Sequence, residues 1–371
     1  MPRLPCRRSR TLLALVLLAV AAVAAALLLI RGDDPPAYRP PASTAALVAR
    51  IRAVVPGALR DSRTPGAAIA VVADGRLAWA GGIGRADARR PVTARTAFQA
   101  GSLSKTVTAW ALRSPAGRRL LPLDEPLDQR LRPWPLAQRP RGITVARLLS
   151  HTAGLGVPGY LGSDRPGPLP SAWQSLRGEA GSAATRAGDD RRGPVPIVAP
   201  PGREYRYSGG GYTLLQYALE RRGGQPFARW MARNALQPLA MDRSRFGWPP
   251  AADAAVGHDG AGRPVPGHRY AELAAAGLST TAGDLGRFLA AVLADPRGID
   301  RPQPATGGHY GLGIERRPLR DGDLLLWHEG VNRGWHARLL LLPRHRLAVA
   351  VLTNGDGGGA VADAVERLLV G

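Results

Sequence analysis

Strand-like runs occur near both ends of this 371-residue chain, and the stretch between them is mostly typical of helices and loops. The first two runs are separated by Asp74-Gly75, a dipeptide typical of a two-residue hairpin turn. The pattern predicts an α+β fold in which the two ends complete one sheet around a helical insert, and it argues against the alternation of a doubly wound parallel sheet. The predicted strands are Ala67–Ala73, Arg76–Ile83, Leu324–His328, Trp335–Leu342 and Leu347–Thr353.

Helices are predicted before, between and after these strands. Ser43 or Thr44 can cap a first helix, whose apolar residues Leu47, Ile51, Val54 and Val55 share one face before Pro56 ends it. Further helices are predicted after Ser102, over Val145–Leu149, Gly211–Arg222, Pro226–Leu236 and Ala282–Leu293, and finally over Val361–Val370.

The segment from Thr11 to Ile30 carries no charge, and as a helix it would span about 30 Å, the thickness of a bilayer's hydrocarbon core. Arginines precede it and aspartates follow it, which predicts a cytoplasmic N-terminus and a domain in the periplasm or on the outer face. A cleaved signal peptide, giving a secreted protein, is the alternative, although its apolar region is usually shorter. The predicted order is a basic tail at 1–10, a transmembrane anchor at 11–30, a proline-rich linker at 31–42 and one domain at 43–371.

The formal net charge of +22 raises nucleic acid as a partner. However, the arginines are scattered without interleaved aromatic residues, and the domain is predicted to lie outside the cytoplasm, so nucleic-acid binding is not expected. The charge is interpreted as solvated surface, with anionic cell-envelope polymers as candidate partners. The histidines lack metal-ligand spacing, and neither a metal nor a cofactor is predicted.

Lys105 is the only lysine of the chain, and arginine supplies the rest of the Lys+Arg count of 50. An arginine-favouring nucleotide composition could leave one lysine by accident, but a buried lysine can lose its proton and act as a base, whereas arginine cannot. Ser102 stands three residues earlier, so at the start of a helix the amine would approach the serine hydroxyl. A serine hydroxyl needs such a base to become a nucleophile.

Tyr207 is a second candidate base, at the entrance to a helix behind the Pro201-Gly202 turn. A lysine ammonium beside it would favour the phenolate, which could then accept a proton. An α/β-hydrolase would instead need a Gly-x-Ser-x-Gly elbow, and no serine of the chain stands in one.

Three ordered motifs carry a resemblance to one family of serine hydrolases. They are Ser102-Leu103-Ser104-Lys105, Tyr207-Ser208-Gly209 and His328-Glu329-Gly330. They resemble the Ser-x-x-Lys, Tyr-x-Asn and Lys-Thr-Gly or His-x-Gly elements of the family that includes class C beta-lactamases, D-alanyl-D-alanine carboxypeptidases, D-aminopeptidases and related esterases. The resemblance covers roughly residues 45 to 370. It implies a beta-lactamase/transpeptidase-like fold, an α/β sandwich whose antiparallel sheet is flanked by terminal helices and joined to a mostly helical subdomain.

The resemblance also implies a role for each motif residue. Ser102 would be the nucleophile that becomes acylated, and Lys105 and Tyr207 would share the work of the general base. The backbone N–H groups of Ser102 and Val331 would bind the oxyanion, and Gly330 would let backbone and substrate approach closely. His328 would contact the substrate, and His151 resembles a structural hydrogen-bonding histidine of the family.

Two departures from the family pattern bear on the substrate. Gly209 replaces an asparagine that could orient the substrate, and His328 replaces a lysine, so a permanent cation becomes a group expected to titrate near pH 6.5. An ester or amide substrate, small or peptide-like, is therefore favoured over a beta-lactam. The alternatives are a beta-lactamase and a catalytically silent member that binds a cell-envelope polymer. Glu329 should point to the sheet face opposite His328, into solvent.

Overall fold

One antiparallel sheet joins the two ends of the chain. The computed structural model describes residues 35–179, 193–247 and 252–371. Its strands are β1 Gly66–Ala73, β2 Arg76–Gly84, β3 Phe98–Gln99, β4 Arg245–Phe246, β5 Leu278–Thr280, β6 Glu315–Pro318, β7 Leu324–Asn332, β8 Trp335–Leu342 and β9 Leu347–Thr353. The large sheet has the order β2-β1-β9-β8-β7-β6, and a small sheet has the order β3-β5-β4. Strands of the two chain ends therefore pair directly, β1 with β9.

Helices cover both faces of the large sheet. They are α1 Thr44–Asp61, α2 Leu103–Leu112, α3 Pro115–Leu120, α4 Leu127–Arg130, α5 Val145–Leu149, α6 Ala172–Arg177, α7 Gly209–Gly223, α8 Phe227–Met231, α9 Leu273–Ala276, α10 Ala282–Ala294 and α11 Gly359–Glu366. A π-helical turn, Ala232–Leu236, continues α8. Alternate residues of β1 divide between two cores: Ile69 packs with α1 and α11, whereas Ala70 packs with the helical insert. The predicted α+β architecture is confirmed.

The hairpin between β1 and β2 forms as predicted. Asp74 and Gly75 have φ values of 52° and 73°, the left-handed conformation that a two-residue hairpin turn requires. Glycine adopts this conformation without steric cost, and aspartate tolerates it better than most residues.

The prediction that Pro56 ends the first helix was wrong. Helix α1 runs through Pro56 to Asp61, after Ser43 caps its start by accepting a hydrogen bond from Ala46 N. Proline inside a helix removes one backbone hydrogen bond and costs about 3 kcal/mol. The turn beyond it buries Leu59 against the sheet, which favours continuing the helix.

Two further boundaries differ from the predicted ones. Strand β7 continues four residues past His328, because Glu329 to Asn332 pair with the first residues of β8. The last helix ends at Glu366, and the chain beyond it pairs with residues 37–39 through a hydrogen bond from Arg39 N to Leu369 O. The first departure comes from pairing within the β7–β8 hairpin, and the second from a backbone partner near the other end of the described chain.

The predicted tail, the anchor Thr11–Ile30 and the first residues of the linker lie outside the described residues. Among the residues that are described, no helix is long and apolar enough to cross a membrane. The anchor and the predicted domain boundary at residue 43 remain predictions.

Candidate active site

Ser102 stands at the tight junction between β3 and α2. Ala100 is tied to β5 by a hydrogen bond from its N–H to Leu278 O, and Gly101 then adopts a φ of 51°. Ser102 occupies the N-cap of α2, but its side chain makes no capping hydrogen bond. The hydroxyl therefore does not cap the start of the helix, and it remains available to the groups beside it.

The Lys105 amine is the group that contacts this hydroxyl. Its Nζ lies 2.9 Å from Ser102 Oγ and 2.8 Å from the carbonyl oxygen of Ala275 in α9. The lysine is fully buried in the helical core. Burial lowers its pKa to about 7, because the charged ammonium loses its hydration. Near neutral pH a large fraction of the amine is thus unprotonated and can accept the serine proton.

Tyr207 lies on the other side of Ser102. The centroid of its ring is 4.9 Å from Lys105 Nζ, and its hydroxyl makes a hydrogen bond with Ser102. Burial, the largest cause, raises the pKa of Tyr207 well above its usual range, and the bond to Ser102 opposes this only in part. The expectation that the phenolate is favoured is therefore wrong: the tyrosine keeps its proton at neutral pH.

His151 holds Tyr207 in place. Its Nδ1 accepts a hydrogen bond of 2.9 Å from Ser208 N, and its ring centroid lies 4.3 Å from that of Tyr207. Tyr212 and Tyr310 close the cage, with ring centroids 5.3 and 5.1 Å from the imidazole. Burial first, and then the Lys105 charge, hold the pKa of His151 well below its usual range. A neutral, structural imidazole fits these contacts.

The two predicted oxyanion donors lie on either side of a close approach between α2 and β7. A Cβ on Gly330 would stand 2.0 Å from Ala100 O and 3.0 Å from Ser102 N. A Cβ on Gly101 would stand 2.6 Å from Val331 N. Only glycines allow the backbones to come this close, which brings the amides of Ser102 and Val331 together at the nucleophile.

His328 does not carry the expected titrating charge. Its Nδ1 lies 2.8 Å from the carbonyl oxygen of Glu329, and its Nε2 lies 3.2 Å from the Tyr310 hydroxyl. The side chain is buried, and burial together with the Lys105 charge lowers its pKa to about 3. The expectation of titration near pH 6.5 is wrong, because a buried imidazole with both nitrogens in hydrogen bonds stays neutral. Contact between His328 and substrate remains a prediction.

At Gly209, where the family has an asparagine, the ring of Tyr160 leaves little room for a side chain. A Cβ on Gly209 would lie 3.1 Å from the Tyr160 ring and 3.2 Å from Pro158 O. The Tyr160 hydroxyl in turn accepts a hydrogen bond from Thr213 in α7. An asparagine at this position would need these neighbours to shift.

Comparison with known proteins identifies the family of this chain. A family profile described as beta-lactamase matches residues 47–371. The chain belongs to the beta-lactamase family. The predicted family resemblance is thus confirmed.

Relatives within the beta-lactamase family differ in the activity that they are named for. The chain is 27% identical to a D-aminopeptidase of Gluconobacter oxydans over 85% of its own length and 61% of that protein. It is 30% identical to esterase EstB of Burkholderia gladioli over 60% of this chain and 57% of that protein. The chain therefore spans about three fifths of the length of these relatives.

A solved structure resembles the whole fold. The octameric penicillin-binding protein homologue from Pyrococcus abyssi superposes with a TM-score of 0.69 at 25% identity, covering 86% of this chain and 76% of that one.

The three sequence motifs do not include two further groups, the Ala275 carbonyl and Asn332. The Ala275 carbonyl oxygen accepts a hydrogen bond from Lys105 Nζ. Asn332 Nδ2 donates hydrogen bonds to Gln99 Oε1 at 2.8 Å and to Ala276 O at 3.3 Å. Asn332 could have been found from its spacing, because it stands two residues after Gly330 and so shares its sheet face. Nothing in the local sequence marks Ala275 as a partner of Lys105.

Metal ligands do not cluster at this site. Across residues 35–179, 193–247 and 252–371, no group of three or more His, Cys, Asp or Glu side chains could hold a metal ion. The prediction of no metal and no cofactor is not tested further by this observation.

Proposed function

We propose that this chain is a serine hydrolase that forms an acyl-enzyme at Ser102. The observation that carries the proposal is the buried Lys105 amine, 2.9 Å from Ser102 Oγ, with its pKa lowered to about 7. A base whose pKa lies near the operating pH is effective, because it is both available and able to accept a proton.

In the proposed reaction Ser102 Oγ attacks the substrate carbonyl while its proton passes to Lys105 Nζ. Negative charge develops on the carbonyl oxygen and is stabilised by the N–H groups of Ser102 and Val331. The carbon–leaving group bond then breaks, and the leaving group takes a proton from the Tyr207 hydroxyl, which regains one from the Lys105 ammonium. Water hydrolyses the ester on Ser102 through the same groups and restores the free enzyme.

We propose neutral esters or amides as substrates, small or peptide-like. Support comes from His328, which is buried and neutral and therefore supplies no positive charge for a substrate carboxylate. The names of two relatives, D-aminopeptidase and esterase, point to the same substrate classes. Beta-lactam hydrolysis ranks below them, because the family's third-element lysine is missing.

The proposed location is extracytoplasmic, with residues 11–30 as a membrane anchor and with anionic envelope polymers as further partners. The proposal is supported by the apolar segment and by the net charge of +22. Fractionation of cells that express the full chain, with and without residues 1–34, tests it. Recovery of the full chain in the soluble cytoplasmic fraction would contradict it.

Covalent labelling tests the proposed activity. The chain is treated with a fluorophosphonate, the labelled peptide is mapped, and an ester panel is assayed beside cephalosporins. We expect one adduct on Ser102, none in the Ser102→Ala variant, and faster hydrolysis of esters than of cephalosporins. Full reactivity of Ser102→Ala would refute the proposal, and efficient cleavage of cephalosporins without ester hydrolysis would reverse the substrate ranking.

A further inference from the structure

Strand β7 presents different chemistry on its two faces. His328, Gly330 and Asn332 share the face toward Ser102, whereas Glu329 and Val331 alternate with them on the face toward α11. Glu329 was expected to point away from the site into solvent. It does point away, but on the far face of the sheet its carboxylate forms an ion pair with Arg338 and lies within hydrogen-bond distance of His336.

Glu329 is held by two residues of the neighbouring strand. Its Oε1 lies 2.7 Å from Arg338 Nη2 and 2.5 Å from His336 Nε2, both in β8. The hydrogen bonds from His336 and then Arg338 lower the pKa of Glu329 to about 2, so the carboxylate is ionised at every pH of interest.

Arg338 extends this contact to the last helix. The guanidinium is buried, and its Nη1 lies 2.6 Å from Asp363 Oδ1 and 3.0 Å from Glu366 Oε2, both in α11. A guanidinium presents several N–H donors in a rigid plane, so it can hold three carboxylates in fixed directions at once. Helix α11, strand β8 and strand β7 are thereby joined at one point behind the site.

This point lies beside the segment that the proposed chemistry depends on. The Glu329 carbonyl accepts the hydrogen bond from His328 Nδ1, and the next two residues are Gly330 and the predicted oxyanion donor Val331. Pairing with β8 holds one edge of this stretch, and Asn332 Nδ2 anchors its front through hydrogen bonds to Gln99 and Ala276. The ion pair between Glu329 and Arg338 adds a side-chain restraint from the back of the sheet.

We infer that Glu329 and Arg338 are positioning residues, which fix the β7 backbone so that Val331 N–H points at the developing oxyanion. The inference rests on the proposed acyl transfer at Ser102. An oxyanion donor acts by being held in place before the reaction, and loss of one donor typically costs about a hundredfold to a thousandfold in rate. A donor that is present but loosely held should lose a smaller part of this, about tenfold.

The variants compare two carboxylate partners of the same arginine. Glu329→Gln weakens the contact on β7, whereas Asp363→Asn weakens a contact of Arg338 on α11 and leaves β7 untouched. We expect kcat for an ester to fall about tenfold in Glu329→Gln with KM nearly unchanged. Asp363→Asn should lower only the melting temperature, with kcat within twofold of the original chain.

A second readout isolates the oxyanion donors. Sulfur is larger than oxygen and a weaker hydrogen-bond acceptor, so a thionoester gains little from these donors. The ratio of ester to thionoester hydrolysis rates should therefore be high in the original chain, fall several-fold in Glu329→Gln and stay unchanged in Asp363→Asn. A purely structural role would lower stability in both variants and leave the ratio alone.

The outcomes separate this inference from the proposed function. If the original chain hydrolyses neither ester, the proposed function fails. If it is active and Glu329→Gln keeps both kcat and the rate ratio, the positioning role is overturned. Should Glu329→Gln not fold, Arg338→Lys serves instead, since a lysine keeps the charge but lacks the separate guanidinium nitrogens that reach Glu329 and α11 at once. A lower rate ratio in Arg338→Lys supports the inference, and an unchanged ratio overturns it.

Discussion

The face of β7 toward Ser102 and the opposite face use charged residue types in opposite ways. On the Ser102 side, burial lowers the pKa of Lys105 to about 7 and that of His328 to about 3, and their partners are carbonyls and hydroxyls. On the far face, Glu329 and Arg338 form full ion pairs with their neighbours. Desolvation thus shifts the pKa values of the groups around Ser102, whereas ion pairs between charged side chains link the elements on the far face.

The largest effect is expected at Lys105. Lys105→Arg keeps a positive charge but cannot release a proton, so we expect a folded protein whose acylation rate falls about a thousandfold or more. Lys105→Met, which is uncharged and apolar, should lose as much. The measurement is the single-turnover rate with an activated ester. Activity of Lys105→Arg close to that of the original chain would show that tuning of the amine is not required.

Gly330→Ala should have the next largest effect. Its Cβ would meet Ala100 O at 2.0 Å, so β7 must move away from Ser102, and kcat/KM should fall about a hundredfold. Gly82→Ala is a matched control, because Gly82 lies on β2, far across the sheet from β7. Its added Cβ would meet a backbone oxygen, Val92 O, at a similar distance of 2.1 Å. Both variants should be less stable in thermal unfolding, by about 1–3 kcal/mol. An equal loss of kcat/KM in Gly330→Ala and Gly82→Ala would show that the loss comes from lower stability alone.

The pH dependence separates the two buried bases. Lys105 works as a base only when neutral, so kcat/KM should rise with pH through a midpoint near 7 and fall about tenfold per unit below it. His328 is already neutral across this range, so it should add no step near pH 6.5.

His328→Gln tests this assignment directly. The substitution disturbs the hydrogen bond to Tyr310, worth about 1 kcal/mol, and should lower kcat/KM about fivefold while the midpoint stays near pH 7. A pH–rate profile over pH 5 to 9 measures both quantities. Loss of the midpoint near pH 7 in this variant would show that His328, and not Lys105, is the group that titrates.

The smallest effect is expected at Val331. Its side chain is 57% exposed on the face of β7 away from Ser102, and only its backbone N–H is assigned a role. Val331→Ala should therefore change kcat/KM by less than twofold in a steady-state assay with the same ester. A loss of tenfold or more would mean that the side chain itself contacts substrate.

Sequence patterns that involve only neighbouring residues predicted much of this fold and its site. The Asp74-Gly75 hairpin, the strands of both ends and the Ser102–Lys105 pair follow from two-residue and one-turn periodicities, which depend on neighbours in sequence. The end of β7 was missed because Gly330 and Glu329 do not fit an apolar strand pattern, although β8 pairs with them.

The protonation states could not be predicted in the same way. The pKa values of Tyr207 and His328 depend on burial by remote segments, including Tyr310. Likewise the Ala275 carbonyl reaches Lys105 from 170 positions away. Spacing along the chain identifies which groups meet, whereas the loss of solvent around them is set by the tertiary structure.

The amine of Lys105 can be observed without assignment, because it is the only lysine of the chain. Protein grown with lysine isotopically labelled at Cε and Nζ should give one side-chain signal, whose chemical shift is followed from pH 5 to 11. The account predicts a titration midpoint near 7, shared by the pH–rate profile. A midpoint near the usual 10.5 would contradict it, since the amine would then be a permanent cation beside Ser102 rather than its base.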